Sequence, residues 1–119
     1  MSRDHRRLQV FAEADQLVLD VYRVSATFPV QERYGLQSQL RRAAVSVACN
    51  IVEGSARHST REYLHFLNLA TGSAAEAEYL ITLANRLALV PLNDTDDLVR
   101  GYAKLSAGLR AIMRALPRA

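Results

Sequence analysis

The sequence is poor in everything that interrupts a helix. Its 119 residues include five glycines and three prolines, so turns are few and the elements between them must be long. No window alternates apolar and polar residues, which removes the signature of a half-buried strand. A single cysteine, Cys49, excludes an intrachain disulfide. It lies in the apolar run AAVSVACNIV and reads as a small buried hydrophobe, not a nucleophile. No apolar run is long enough to cross a bilayer, and the basic start MSRDHRRLQV has no apolar signal core behind it. The expectation is one soluble, cytoplasmic domain over residues 1–119, with residues 1–7 a frayed basic arm.

The usual marks of catalysis are also missing. The glycines are isolated, so no phosphate loop exists. Glu62 and His65 have the Glu-x-x-His spacing of di-iron carboxylate bundles. The other two histidines, His5 and His58, do not follow a glutamate by three, and Asp15, Asp20 and Glu53 do not build the missing half. A surface histidine beside a capping glutamate is the better reading. No His/Cys cluster has metal-ligand spacing, and the residue order suggests no nucleophile–base arrangement. The expectation is a protein that is not an enzyme and has no cofactor, metal or small-molecule substrate.

What is present is helical periodicity, four times over. Val10, Ala14, Leu17, Val21, Val24 and Phe28 are spaced by fours and threes. So are Leu36, Leu40, Ala43, Val47, Asn50 and Gly54. Tyr63, Phe66, Ala70, Ser73, Ala77, Leu80, Ala84 and Leu87 form a longer series, and Leu98, Tyr102, Leu105, Leu109, Ile112 and Leu116 a fourth. Each set falls on one stripe of a helix. Pro29 ends the first helix, and Gly35 precedes the second, for which Gly54 offers a left-handed C-cap. Ser59 to Glu62 fits a capping box opening the third. Pro91 breaks the chain after the third helix, and Asn93 to Asp97 offers caps for the fourth. The short connections force antiparallel neighbours, so the fold expected is an all-α, up-down-up-down four-helix bundle.

The second helix is apolar most of the way round. Val45, Ala48, Cys49 and Val52 lie off its main stripe, and surplus apolar surface of that kind asks for another subunit. These four are the candidate oligomer interface. Ser46 and Asn50 share a face, and Glu53 and Arg57 stand four apart in the favourable order for an ion pair. Ser46, Asn50, Glu53 and Arg57 are expected to form a polar network tying the second helix to the third. Arg41 and Arg42 open the second helix, and Arg57 and Arg61 flank its far turn, about 24 Å away at 1.5 Å per residue. These arginines are the candidate nucleic-acid contacts. The net charge of +3 permits an RNA or DNA partner without requiring one. The alternative is an oligomeric protein-interaction scaffold in which the same arginines make ion pairs.

The segments FPVQERYGLQSQLRRAAVSVACNIVEGSARHSTREYLHFL and LATGSAAEAEYLITLANRL resemble a bacterial family of four-helix-bundle proteins. Its members include those encoded in intervening sequences of large-subunit ribosomal RNA genes. The resemblance runs from about Val10 to Leu116. It rests on Phe28-Pro29, Tyr34-Gly35-Leu36, Gln39 to Ala44, Ser46, Asn50-Ile51, Glu53-Gly54 and Gly72-Ser73 together. Ala48-Cys49 departs from it, because the family often has a proline-containing pair there. The resemblance implies a non-enzymatic bundle assembling into a ring, usually a homopentamer. A related branch, the accessory proteins of diversity-generating retroelements, is a basic pentamer that binds a reverse transcriptase and nucleic acid.

Overall fold

Half of the residues are apolar, and their helical spacing decides where they go. In the computed structural model, which describes the backbone of residues 2–117 and the side chains of residues 6–117, four long helices follow one another. They are α1 (Ser2–Ser25), α2 (Leu36–Ser55), α3 (Thr60–Arg86) and α4 (Leu92–Ala115), with a 3-10 turn at Val30–Glu32 between the first two. Each helix packs on its chain neighbours, and α1 closes the ring against α4; neither diagonal pair touches among the described residues. The result is an antiparallel four-helix bundle, 48 × 24 × 18 Å.

The stripes of α1 and α4 are buried in full, from Val10 to Phe28 and from Leu98 to Leu116. In α3 the core shifts sideways. Leu67, Ala74 and Ile81 are fully buried, whereas Phe66 and Ser73 are half-buried and Leu87 is exposed. The buried residues Tyr63, Leu67, Ala70, Ala74, Ala77, Ile81 and Ala84 form a single four-three series, which leaves Tyr63 by a step of four to Leu67 where the sequence equally allows a step of three to Phe66. Ala70, Ala74, Ala77 and Ala84 have no exposed surface; small side chains there let neighbouring backbones approach closely.

Several boundaries differ from those read in the sequence. Helix α1 already begins at Ser2, so residues 2–7 are helical and not a frayed arm; residue 1 lies outside the described residues. Arg7 anchors this end by laying its guanidinium 4.4 Å over the Tyr63 ring. Gly54 is no left-handed cap, since no glycine has a positive φ. It sits inside α2, buried, where an added Cβ would lie 3.0 Å from the Phe66 Cβ and 3.1 Å from the Tyr63 ring. Close α2–α3 packing, not backbone conformation, requires glycine there. Helix α4 starts at Leu92 behind Pro91, with no side-chain cap; Thr95, inside the helix, donates to the Leu92 carbonyl instead.

The remaining turns follow their local chemistry. Ser59 caps α3, its Oγ accepting from the Glu62 N–H at 3.1 Å and donating to the Glu62 carboxylate at 3.3 Å. Glu32 turns back to accept the Leu36 N–H at 3.1 Å, which caps α2 from outside. Helix α3 ends through Ala88, a left-handed alanine with φ of 59°. Leu89 N–H reaches back to the Ala84 carbonyl at 3.0 Å, in the manner of a Schellman ending.

Candidate functional site

Helix α2 continues without a break through Ala48-Cys49, and its outward side faces along the seam with α1. Val45 is 37% exposed and Val52 51%, with Cys49 exposed and Ala48 half-buried. Across the seam α1 presents Leu8, Phe11 and Tyr22, all exposed. The four residues proposed for an interface therefore stand on one apolar flank built by two helices, not by α2 alone. Cys49 is an exposed thiol on this flank and not the buried hydrophobe that its apolar neighbours suggested. Near the start of α1 the flank sinks into a groove of about 310 Å³ lined by Arg7, Leu8, Phe11, Ile51, Val52 and Ser55. The Arg7 Nε is buried there and has no hydrogen-bond acceptor.

The structure assigns the four candidate arginines different tasks. Arg41 is committed to the fold. Its Nε donates to the Ser25 Oγ at 2.8 Å, its Nη2 donates to the Tyr22 carbonyl at 3.2 Å, and its guanidinium lies 4.4 Å over the Tyr22 ring. Gln37 adds a bond from its Nε2 to the Ser25 carbonyl at 2.9 Å. Two side chains from the first turns of α2 thus close the C-terminal turn of α1, where carbonyls lack intrahelical partners and a cation is favoured. Arg42 is exposed and donates only to Ser38 at 3.2 Å. It shares a groove of about 440 Å³ with Arg33 and with Tyr34, which is 90% exposed. Arg57 pairs with Glu53 at 3.0 Å and lies 4.8 Å over the Phe66 ring. Arg61 is exposed.

The expected polar set divides in two. The Ser46 and Ser73 hydroxyls are 2.9 Å apart, joining α2 to α3, and the Asn50 Nδ2 donates to the Ser46 carbonyl and hydroxyl at 2.9 and 3.1 Å. Glu53 and Arg57 form the separate pair at the turn. Among the described residues no hydrogen bond links the two groups, because Ser46 and Asn50 face Ser73 while Glu53 and Arg57 are exposed at the helix end.

A feature that residue-by-residue reading missed is the distribution of charge along the bundle. The topology brings the start of α1, the end of α2, the start of α3 and the end of α4 to one end. Gly108 lies beside Val10 and Gly101 beside Leu17, which fixes the level of α4 against α1. Arg6, Arg7, Arg57, Arg61, Arg110 and Arg114 gather at this end, with Glu53 and Glu62 the opposing carboxylates among the described side chains. That local excess of four charges is larger than the whole sequence's three. At the other end Asp94, Asp96, Asp97, Glu76 and Glu78 offset the arginines, and Arg100 is held by both Asp96 and Asp97. The short turns alone imply this polarity, so the signal was present in the sequence.

His65 and Glu62 are exposed, and the Glu62 carboxylate is bound to Ser59. Among the described residues no group of three or more histidines, cysteines and carboxylates could hold a metal ion. No described helix is long and apolar enough to cross a membrane.

Comparison with known proteins agrees with the bundle. Residues 6–111 match the 23S rRNA-intervening sequence protein family. The chain is similar to a crystal structure of a protein with unknown function from the S23 ribosomal protein family of Bacteroides thetaiotaomicron VPI-5482. The TM-score is 0.86 at 18% sequence identity, over 92% of this chain and 99% of that one, a likeness of fold. No functionally curated protein matches significantly.

Proposed function

The chain belongs to the 23S rRNA-intervening sequence protein family, and on that footing we propose that it is a non-enzymatic, self-associating, cytoplasmic bundle that binds RNA or DNA through its basic end. The observation that carries the reading is the gathering of Arg6, Arg7, Arg57, Arg61, Arg110 and Arg114 at one end. Arginine-dense surfaces of this kind bind phosphates by releasing condensed counterions, with little dependence on base sequence. The apolar α1–α2 flank supports self-association. The family resemblance gives five copies as the expected number. A ring with its ends aligned repeats the cluster around one rim, so each copy contributes a few contacts to a large basic surface.

Fluorescence anisotropy with structured RNA and with duplex DNA, from low to moderate salt, tests the proposal. Affinity should fall linearly on a log–log plot against salt. Replacing Arg57, Arg61, Arg110 and Arg114 by Ala should flatten that slope, while Arg42→Ala should leave it nearly unchanged. An intact oligomer that binds neither nucleic acid at low salt overturns the reading. The function then moves to a protein-interaction scaffold in which the same arginines make ion pairs.

A further inference from the structure

An exposed tyrosine is ordinary on its own, but Tyr34 stands among unusual neighbours. It is 90% exposed on the turn before α2. It borders the groove of about 440 Å³ that Tyr22, Arg33, Ser38, Arg41 and Arg42 also line, and no carboxylate lines that groove. Arg33 has no ion pair among the described residues. Arg42 donates to the Ser38 hydroxyl, and Arg41 to the Ser25 hydroxyl and the Tyr22 carbonyl. These acceptors are neutral, so three guanidinium charges line one groove without a counter-charge.

The carboxylates of this end are occupied or lie elsewhere. Glu32 turns back to the Leu36 N–H. Asp94, Asp96 and Asp97 stand at the head of α4, which does not touch α2 among the described residues. Glu76 lines a separate groove of about 340 Å³ between α2 and α3. The charge balance of this end is therefore divided by side, with the arginines of the groove on one and the α4 carboxylates on the other.

Charge of this sign calls for an anion, and arginine suits phosphate because its planar fork bonds two oxygens at once. The bare ring calls for a flat partner. An acidic peptide would answer the charge and leave the ring idle. A duplex would offer phosphates but keeps its bases stacked inside. A nucleotide with an unpaired base brings both groups. The groove lies within the range of about 300–1,000 Å³ usual for small-ligand sites. Arg41, already fixed against α1, adds charge to it without further ordering.

We infer that the Tyr34 groove binds an unpaired nucleotide, with the base stacked on Tyr34 and the phosphate held by Arg33 and Arg42. The site lies at the opposite end of α2 from the basic cluster and needs neither that cluster nor a second copy. The nucleotide is free or part of a single strand, and the test separates the two.

Fluorescence anisotropy with a labelled oligodeoxyadenylate of about ten nucleotides, a usual footprint for single-strand sites, tests the inference, with duplex DNA alongside. Tyr34→Ala should fold as wild type by circular dichroism, since the ring is exposed, yet weaken single-strand affinity about tenfold. Tyr34→Trp should keep that affinity. The protein has no tryptophan of its own, so the indole emission of this variant reports the stack directly, and the strand should quench it. Replacing Arg33 and Arg42 by Ala should lower the single-strand salt slope by about 1.4, the share of one phosphate on each arginine. Duplex affinity should barely change in any of these variants. Quenching of Tyr34→Trp by AMP, with displacement of the strand, assigns the groove to free nucleotides too; quenching by the strand alone assigns it to single strands. Tyr34→Ala with wild-type single-strand affinity, or an indole that neither probe quenches, overturns the inference. Polyglutamate that displaces the strand as readily as unlabelled strand does makes the groove an acidic-peptide site and overturns it as well. Duplex binding by the basic end stands or falls separately in the duplex arm.

Discussion

Gly54 and Gly72 are both helical glycines, yet the space around them sets opposite expectations for one substitution. At Gly54 a methyl group would meet the Phe66 Cβ and the Tyr63 ring at 3.0 and 3.1 Å, whereas at Gly72 nothing lies within 4 Å. Gly54→Ala should lower stability by about 1–3 kcal/mol through overpacking, although alanine is the better helix former. Gly72→Ala should raise it by about 0.5–1 kcal/mol. Urea midpoints of the two variants against wild type measure both. Tyr102 is the other residue whose setting decides its behaviour. Its hydroxyl is buried without a partner, and burial, with a smaller contribution from Asp20, pushes its pKa well above the usual tyrosine value. The folded state thus disfavours ionisation. The contribution is intact below about pH 10, the ordinary tyrosine value, and is lost as pH rises beyond it. Tyr102→Phe should leave neutral-pH stability unchanged or raise it by up to about 1 kcal/mol. It should also lessen the fall above pH 10, read from thermal melts across that range. Neither setting could be read in the sequence, because a glycine's clearance and a hydroxyl's orphaning belong to neighbours brought in by packing.

At the level of elements, the joint between α1 and α2 depends on Arg41 and Gln37. Arg41→Ala removes two hydrogen bonds and the stacking on Tyr22, so it should cost about 1.5–3 kcal/mol. Arg42→Ala should stay within about 0.5 kcal/mol, as exposed substitutions usually do. Denaturant unfolding of the pair separates the arginine that fastens helices from the one that faces solvent. The sequence placed both arginines at the head of a helix but gave no means of telling them apart, since the acceptor Ser25 stands sixteen residues upstream. The stripes of α1 and α4 were legible to the residue because each serves one continuous core. The stripe of α3 was legible only in part, because from Tyr63 a step of three to Phe66 and a step of four to Leu67 both reach apolar residues, and only packing decides that the buried series runs through Leu67. Gly54 was misassigned for a related reason: glycine near a helix end is ambiguous between a turn and a close contact, and only the position of Phe66 resolves it.

For the whole molecule, the antiparallel bundle followed from short turns between long amphipathic helices, and family membership agrees with it. The site was harder to read. A net charge of +3 averages a basic end against a balanced one, and the average conceals the contrast. The apolar flank was half visible, since Val45 and Val52 stood off the main stripe of α2, but the share from Leu8, Phe11 and Tyr22 needed the pairing of α1 with α2. The order of packing carries one more consequence. Three of the four seams join helices adjacent in the chain, and only the α1–α4 seam joins distant ones. Contacts so local place the protein among fast-folding topologies. During synthesis, however, α1 leaves the ribosome first and its α4-facing side is covered last. Until α4 has emerged, Val10 and Leu17, which will lie against Gly108 and Gly101, are without cover. The final helix acts as the closing stave of the barrel, and a ribosome stalled before it would hold a sticky three-helix fragment.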